Sequence, residues 1–241
     1  QIDPLLTGVG RIQGIAQRDL TGIFVPTLQV TTPQMDLNAT LTQGTSGGSG
    51  TFHFTLNNIG LVADGITGPA TAVGRADQNA NGDWAILADV TAPGATLNAD
   101  VTVASETNEV SGALQADINN LAAYRPLIGQ PVSGGVRANV QGSLLPDFSA
   151  FSANIALTTR NLGIGSPTAD LLLRGAGSLD LTASRTTNGI RISNLAARTN
   201  NVTLDGRLDA SDDGTSSGQF NARLRDVGLF IERDLEPVAF D

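Results

Sequence analysis

The sequence has no cysteine and no lysine, and only one histidine, one tryptophan, one tyrosine and one methionine. Without cysteine there is no disulfide and no thiolate metal site, which is consistent with an oxidising compartment. His53 has no second ligand type near it and no nucleophile partner by spacing. It lies between Phe52 and Phe54, so in a strand it faces away from both and reads as a surface residue. No apolar run approaches the ~18 residues of a spanning helix. The N-terminus lacks a charged region followed by an apolar one. Gln1-Ile-Asp-Pro-Leu-Leu6 begins inside a repeat, so the chain reads as a piece of a larger protein. All 14 basic residues are Arg, against 23 acidic ones, for a net charge of −9. With no basic stripe, nucleic acid is excluded as a partner, and an anionic lipid surface would repel the chain. Paired carboxylates, a Ser/His/Asp order and a phosphate-cradling glycine loop are all missing, so no enzyme, catalytic residue, metal or cofactor is expected.

Hydrophobic residues are plentiful at 40%, but aromatics are only 4%. Leu, Val, Ile and Ala must therefore supply the apolar surface. The stretch Gly112–Leu121 places Leu114, Ala116, Ile118 and Leu121 in a pattern that alternates and then turns, as a half-buried strand does. Gly50 opens a second copy with Phe52, Phe54, Leu56 and Ile59, and Gly218 a third with Phe220, Ala222, Leu224 and Val227. Two polar residues precede the last apolar one each time: Asn57-Asn58, Asn119-Asn120 and Arg225-Asp226. Upstream, the glycine pairs Gly8/Gly22, Gly68/Gly82 and Gly175/Gly189 share one spacing, and Leu37, Leu97 and Leu204 follow at another. Lead-ins at Asp3–Gly8, Asp64–Gly68 and Asp170–Gly175 open each unit. The unit is about 55 residues with four strands joined by hairpins. Units are expected at about 3–62, 64–121 and 170–230 within a single β-repeat segment, with an insertion at about 122–165.

Asn81-Gly82 and Asn188-Gly189 are type I′ hairpin candidates, with positive φ at both central residues. Variable turns are expected at 44–50, 106–108 and 211–218. The insertion opens with the one expected helix, Ile118–Arg125, closed by Pro126 and Gly129. Strands then resume over Val132–Val140 and Phe151–Leu157, with a short one at Leu162 and Ile164. That makes about fifteen strands, nearly all apolar on one face, with no amphipathic helices to cover that face. Asp77–Asp83 matches the front of a calcium loop, but Ala88 stands where its bidentate Glu belongs. A plain turn is expected there, and a solvated turn at Asp209–Gly214. Two glycosylation sequons, Asn38-Ala-Thr40 and Asn201-Val-Thr203, fall in expected strands.

The segments Ala169-Asp-Leu-Leu-Leu-Arg-Gly175, Gly177–Arg185 and Asp117–Val136 resemble the TamB-like proteins (translocation and assembly module) of the AsmA-like family. The last of these joins a short turn to Gly129-Gln-Pro-Val-Ser-Gly134 and a new strand. The resemblance is one of spacing and alternation along the whole chain. It implies an all-β, elongated antiparallel repeat sheet folded along its length, a β-taco with an apolar groove. It further implies a role in phospholipid transport and outer-membrane biogenesis. The location implied is the periplasm, within a protein anchored in the inner membrane of a Gram-negative bacterium. The implied partners are phospholipid acyl chains and, through regions outside this segment, an outer-membrane barrel related to BamA. The groove-lining candidates are Phe24, Leu37, Phe52, Phe54 and Leu56 in the first unit, and Trp84, Ile86, Leu97, Val101 and Leu114 in the second. Val136, Ile155 and Leu157 follow in the insertion, and Leu181, Leu204 and Phe220 in the third unit. The residues alone leave one other class open, a structural or adhesive β-repeat domain of a secreted or cell-surface protein; a polysaccharide-acting β-helix enzyme would need clustered carboxylates on one face, which the sequence does not show.

Overall fold

Period-two alternation takes the form of strands through most of the described residues. The computed structural model describes residue 5, residues 7–45 and residues 47–225. Fourteen strands form one open antiparallel sheet in which each pairs with its neighbours in sequence. The first unit supplies β1 (Arg11–Arg18), β2 (Gly22–Thr31), β3 (Met35–Gly44) and β4 (Gly47–Leu56). The second supplies β5 (Ala70–Gln78), β6 (Trp84–Ala92), β7 (Ala95–Val103) and β8 (Val110–Ile118). The insertion is one long hairpin, β9 (Ser133–Leu144) and β10 (Phe151–Gly163). The third unit supplies β11 (Ala176–Thr186), β12 (Gly189–Thr199), β13 (Val202–Ser211) and β14 (Ser216–Leu224). The lead-in residues Asp3, Pro4 and Leu6, and Val227 of the third copy, lie outside the described residues.

Several local expectations need correction. There are fourteen described strands, because Leu162 belongs to β10, which runs on to Gly163. Ile118 ends β8. A 3-10 turn follows at Leu121–Tyr124, then a single α-turn, α1 (Arg125–Ile128). Pro126 sits in the first turn of α1, where a missing N–H costs nothing, so it opens that turn. Gly129 does close it, in the left-handed region. A second helix, α2 (Pro167–Leu173), forms where the sequence marks only the lead-in Asp170–Gly175, beside the one helix expected. Its Leu-rich run has high helix propensity, and Pro167 starts it. Neither Asn81 nor Asn188 has positive φ, so the type I′ turns are not formed. In the first case Asn79 folds the turn instead, its Oδ1 accepting from Asn81 N and Asp83 N. The turns at 44–50 and 211–218 are shorter than expected, since β4 starts at Gly47 and β14 at Ser216.

The two ends of the strands differ. All long connectors lie at one end, after β4, β8 and β10. That end holds Met35, Leu56, Ala63, Ile66 and Leu121, five of the six buried apolar residues described. The paired asparagines explain themselves there. Asn58 and Asn120 cap the 3-10 turns by accepting from Gly60 N and Ala122 N. Asn57 N and Asn119 N donate to Gln34 O and Gly94 O, closing the neighbouring turns. Thr32 and Thr199 play matching parts in units one and three. Each hydroxyl donates to a lead-in carbonyl, Leu5 O or Leu172 O, and accepts from the turn that follows.

The opposite end is made of exposed hairpin turns held by aspartates. Asp19, Asp147 and Asp213 each accept from the backbone N–H and hydroxyl of the residue two further on. Asp83 accepts from Ser105 N and Asn79 Nδ2. These bonds favour the ionised carboxylate and hold all four groups below the ordinary Asp value of 3.8. A carboxyl depressed in the folded state stabilises the fold above its unfolded pKa, and that contribution is lost as pH falls through the folded value. The melting temperature should therefore hold steady from neutral pH down to about 5 and fall below about 4, the unfolded carboxyl range. Asp19→Asn should lessen the fall. A melting temperature unchanged down to about pH 2 would contradict this role for the turns.

Candidate functional site

In-register pairing converts the alternation of each strand into rows that cross the sheet. One row runs Gly14, Leu28, Ala39, Phe52, Gly74, Ala88, Ala99, Leu114, Val140, Ile155, Leu181, Leu195, Gly206, Phe220. The adjacent row on the same face begins Ile12, Val30, Leu37, Phe54 and ends Ala197, Leu204, Ala222. Neither row contains a polar side chain. At ~4.8 Å between strands, each row is about 60 Å long. Where the first row has a glycine beside an aromatic residue, the ring covers the gap. A Cβ on Gly74 would strike the Phe52 ring, and one on Gly206 the Phe220 ring.

Fifteen of the sixteen sequence candidates lie on this face. Leu37, Phe54, Leu97, Leu157 and Leu204 fall in one row, and Phe52, Leu114, Ile155, Leu181 and Phe220 in the other. Ile86 and Val101 pair in the next row towards the hairpin end, with Trp84 beyond them. Leu56 and Val136 lie at the connector end. Phe24 is the exception. It pairs with Thr42 and Gln17 on the polar face. The register of β2 shifts between Val25 and Leu28, so an extra residue beside Pro26 flips the side-chain sense. Val25, opposite Leu41, holds the place that Phe24 was expected to fill. Val140, Leu179 and Leu195, absent from the sequence candidates, complete the two rows, and Phe151 lies on the same face nearer the hairpin end. Their alternation was visible, but not the partner each would meet.

The reverse face is polar. The row behind holds Asn38, His53, Asp89, Asn98, Gln115, Asn139, Asp180, Asp205 and Asn221, interrupted by Val73, Ala156 and Ala196. His53 thus faces away from Phe52 and Phe54. The ion pairs Arg137–Asp117 and Arg191–Asp209 join registered cross-strand partners there, both at 2.5 Å. They are solvent-exposed and worth about 0–1 kcal/mol each. Two furrows of ≈ 750 Å³ and ≈ 640 Å³ run between polar rows, floored by backbone. Among the described residues no group of three or more His, Asp or Glu could hold a metal ion.

Among the described residues no layer of protein covers the apolar face. Among the described residues no side chain is wholly buried, and Leu114 and Phe220 keep 40% and 58% of their surface exposed. Leu121, under the connectors, keeps only 8%. A face residue therefore gains less on folding than a core residue. Leu114→Ala should cost about 1 kcal/mol or less, since less of its area leaves water than of a core leucine's and no closed cavity is left behind. Leu121→Ala should cost about 2–5 kcal/mol from transfer and cavity terms together. Chemical denaturation checks both, and equal costs would mean that the face is packed in solution.

Compared with known proteins, the chain matches no family model, and neither a curated protein nor a solved structure is similar to it.

Proposed function

We propose that this chain is a lipid-handling segment of a TamB-like protein of the AsmA-like family, whose apolar face receives phospholipid acyl chains and passes them along the sheet. The observation that carries this reading is the pair of unbroken apolar rows, spanning all fourteen described strands with no layer of protein over them among the described residues. Burying such a face yields about 25 cal/mol per Å² of apolar area, so an occupant without polar groups gains by lying there. An acyl chain meets that condition and needs no hydrogen-bond partner. The polar reverse face with its exposed ion pairs suits an aqueous compartment, and the reading places the segment in the periplasm of a Gram-negative envelope. Anchoring in the inner membrane and contact with a BamA-related barrel would fall to other parts of the protein. A structural or adhesive repeat domain would bury its apolar face in a second layer, and the exposure of Leu114 and Phe220 favours the lipid reading over it.

The test places a photoreactive side chain at Ala99 and exposes the chain to phospholipid vesicles. Crosslinking to lipid should occur. It should be lost when Leu97, Leu114, Val136, Ile155, Leu181 or Leu204 is changed to Asp, because acyl chains cannot satisfy a charge, while circular dichroism shows the sheet intact. Absence of crosslinking in the unaltered sequence, together with unfolding of all six variants, would overturn the reading and leave a packed structural face.

A further inference from the structure

The apolar face is not uniform. Where β8 and β9 pair near the hairpin end, Gly112 lies opposite Gly142, and Ala153 of β10 continues the row. Three consecutive strands thus lack a bulky side chain. The result is a hollow of ≈ 210 Å³ walled by Val101, Leu114 and Val140 on one side and by Val110, Leu144 and Phe151 on the other. Neither glycine can be filled cheaply. A Cβ on Gly112 would collide with Asp100 O, and one on Gly142 with Ser152 O. Close strand pairing therefore fixes the hollow in place.

Phe148 also lines it, from the tip of the β9–β10 hairpin. Its φ is 57°, in the left-handed region. Every other described residue with positive φ is Gly or Asn. A phenylalanine there is strained and 64% exposed, so it is a poor choice for a turn alone. Strain of this kind clusters at functional sites.

We propose that this hollow is a fixed subsite for the end of one acyl chain, with Phe148 as its lip. The proposal rests on the reading of the face as an acyl-binding surface. The strands around the hollow, β7 to β10, are interior and paired on both sides, so no free ladder group meets an occupant. A peptide backbone or a sugar would leave its polar groups unsatisfied there. An alkyl chain would not. The volume exceeds that of an apolar cavity of ~150 Å³ that binds benzene.

The probe is a phosphatidylcholine with a diazirine near its acyl terminus, presented in vesicles, with adducts mapped by mass spectrometry. Adducts should concentrate within residues 101–114 and 140–153. Ala153→Leu, which fills the hollow, should lower them about tenfold, the loss expected for excluding a few methylenes. Adducts around Leu179–Leu204 should persist. Phe148→Asn should melt no lower than the unaltered chain, since it relieves the backbone, yet lose the local adducts. It keeps the test valid if Ala153→Leu fails to fold. Ala113→Leu, on the polar face, should change nothing. Adducts spread evenly along the sheet and unmoved by these variants would overturn the subsite while leaving the lipid reading intact. No adducts anywhere would overturn both.

Discussion

Backbone pairing between successive strands is the interaction on which the rest of this structure depends. Among the described residues no second layer supplies a core, and a chain without cysteine has no disulfide to fasten it. The ladders must hold each strand in a register that keeps every apolar residue on one side, because a slip of one residue would turn the whole set to the other face. The bulges in β2 and β12 show the constraint at work. Each adds a residue, and the apolar positions on either side, Val25 and Leu28 in β2, Ile192 and Leu195 in β12, still share a face. Register is preserved at the cost of regular spacing.

That arrangement leaves the ends and edges to be managed separately. At one end the connectors fold over the strand termini and bury Leu56 and Ile66 to 3% and 2% exposure, giving the sheet its only compact apolar packing among the described residues. At the other, aspartates hold tight turns by charge-assisted hydrogen bonds that need no burial. The outer strands β1 and β14 are exposed along their whole length, with Arg11 and Arg18 at the ends of one and Arg223 near the end of the other. Charges on an edge discourage unwanted strand pairing. Stability is thus concentrated at one end, and the middle of the apolar face stays open to an occupant.

Much of this was legible in the sequence, because period-two patterning and repeated glycine spacing are local signals. The three four-strand units and the inserted hairpin follow from them, and so does the common face of Leu37, Leu97 and Leu204. Phe24 was misplaced because a bulge is decided by a partner strand and leaves no mark in alternation. The helix α2 was missed because Asp170-Leu-Leu-Leu173 has no polar residue to break its apolar run, so neither a strand nor a helix period could be read from it. The asparagine pairs were noticed as a pattern, but their capping role needed the turns in place. The hollow beneath Phe148 depends on Gly112 meeting Gly142 across two strands, a pairing that only the register reveals.

An apolar face open to solvent is the central claim, and the lack of native cysteine makes it directly measurable. Single cysteines at Leu97, Ala138 and Leu179 can be compared with cysteines at Asn98, Asn139 and Asp180, their neighbours on the polar face, by reaction with a water-soluble thiol reagent in the absence of lipid. If the face is open, the two sets should react within about tenfold of each other, as steric shielding alone allows. If the apolar set reacts slower by ~10³ or more, as groups that need an unfolding event to be reached do, the face is packed against protein and the claim is wrong.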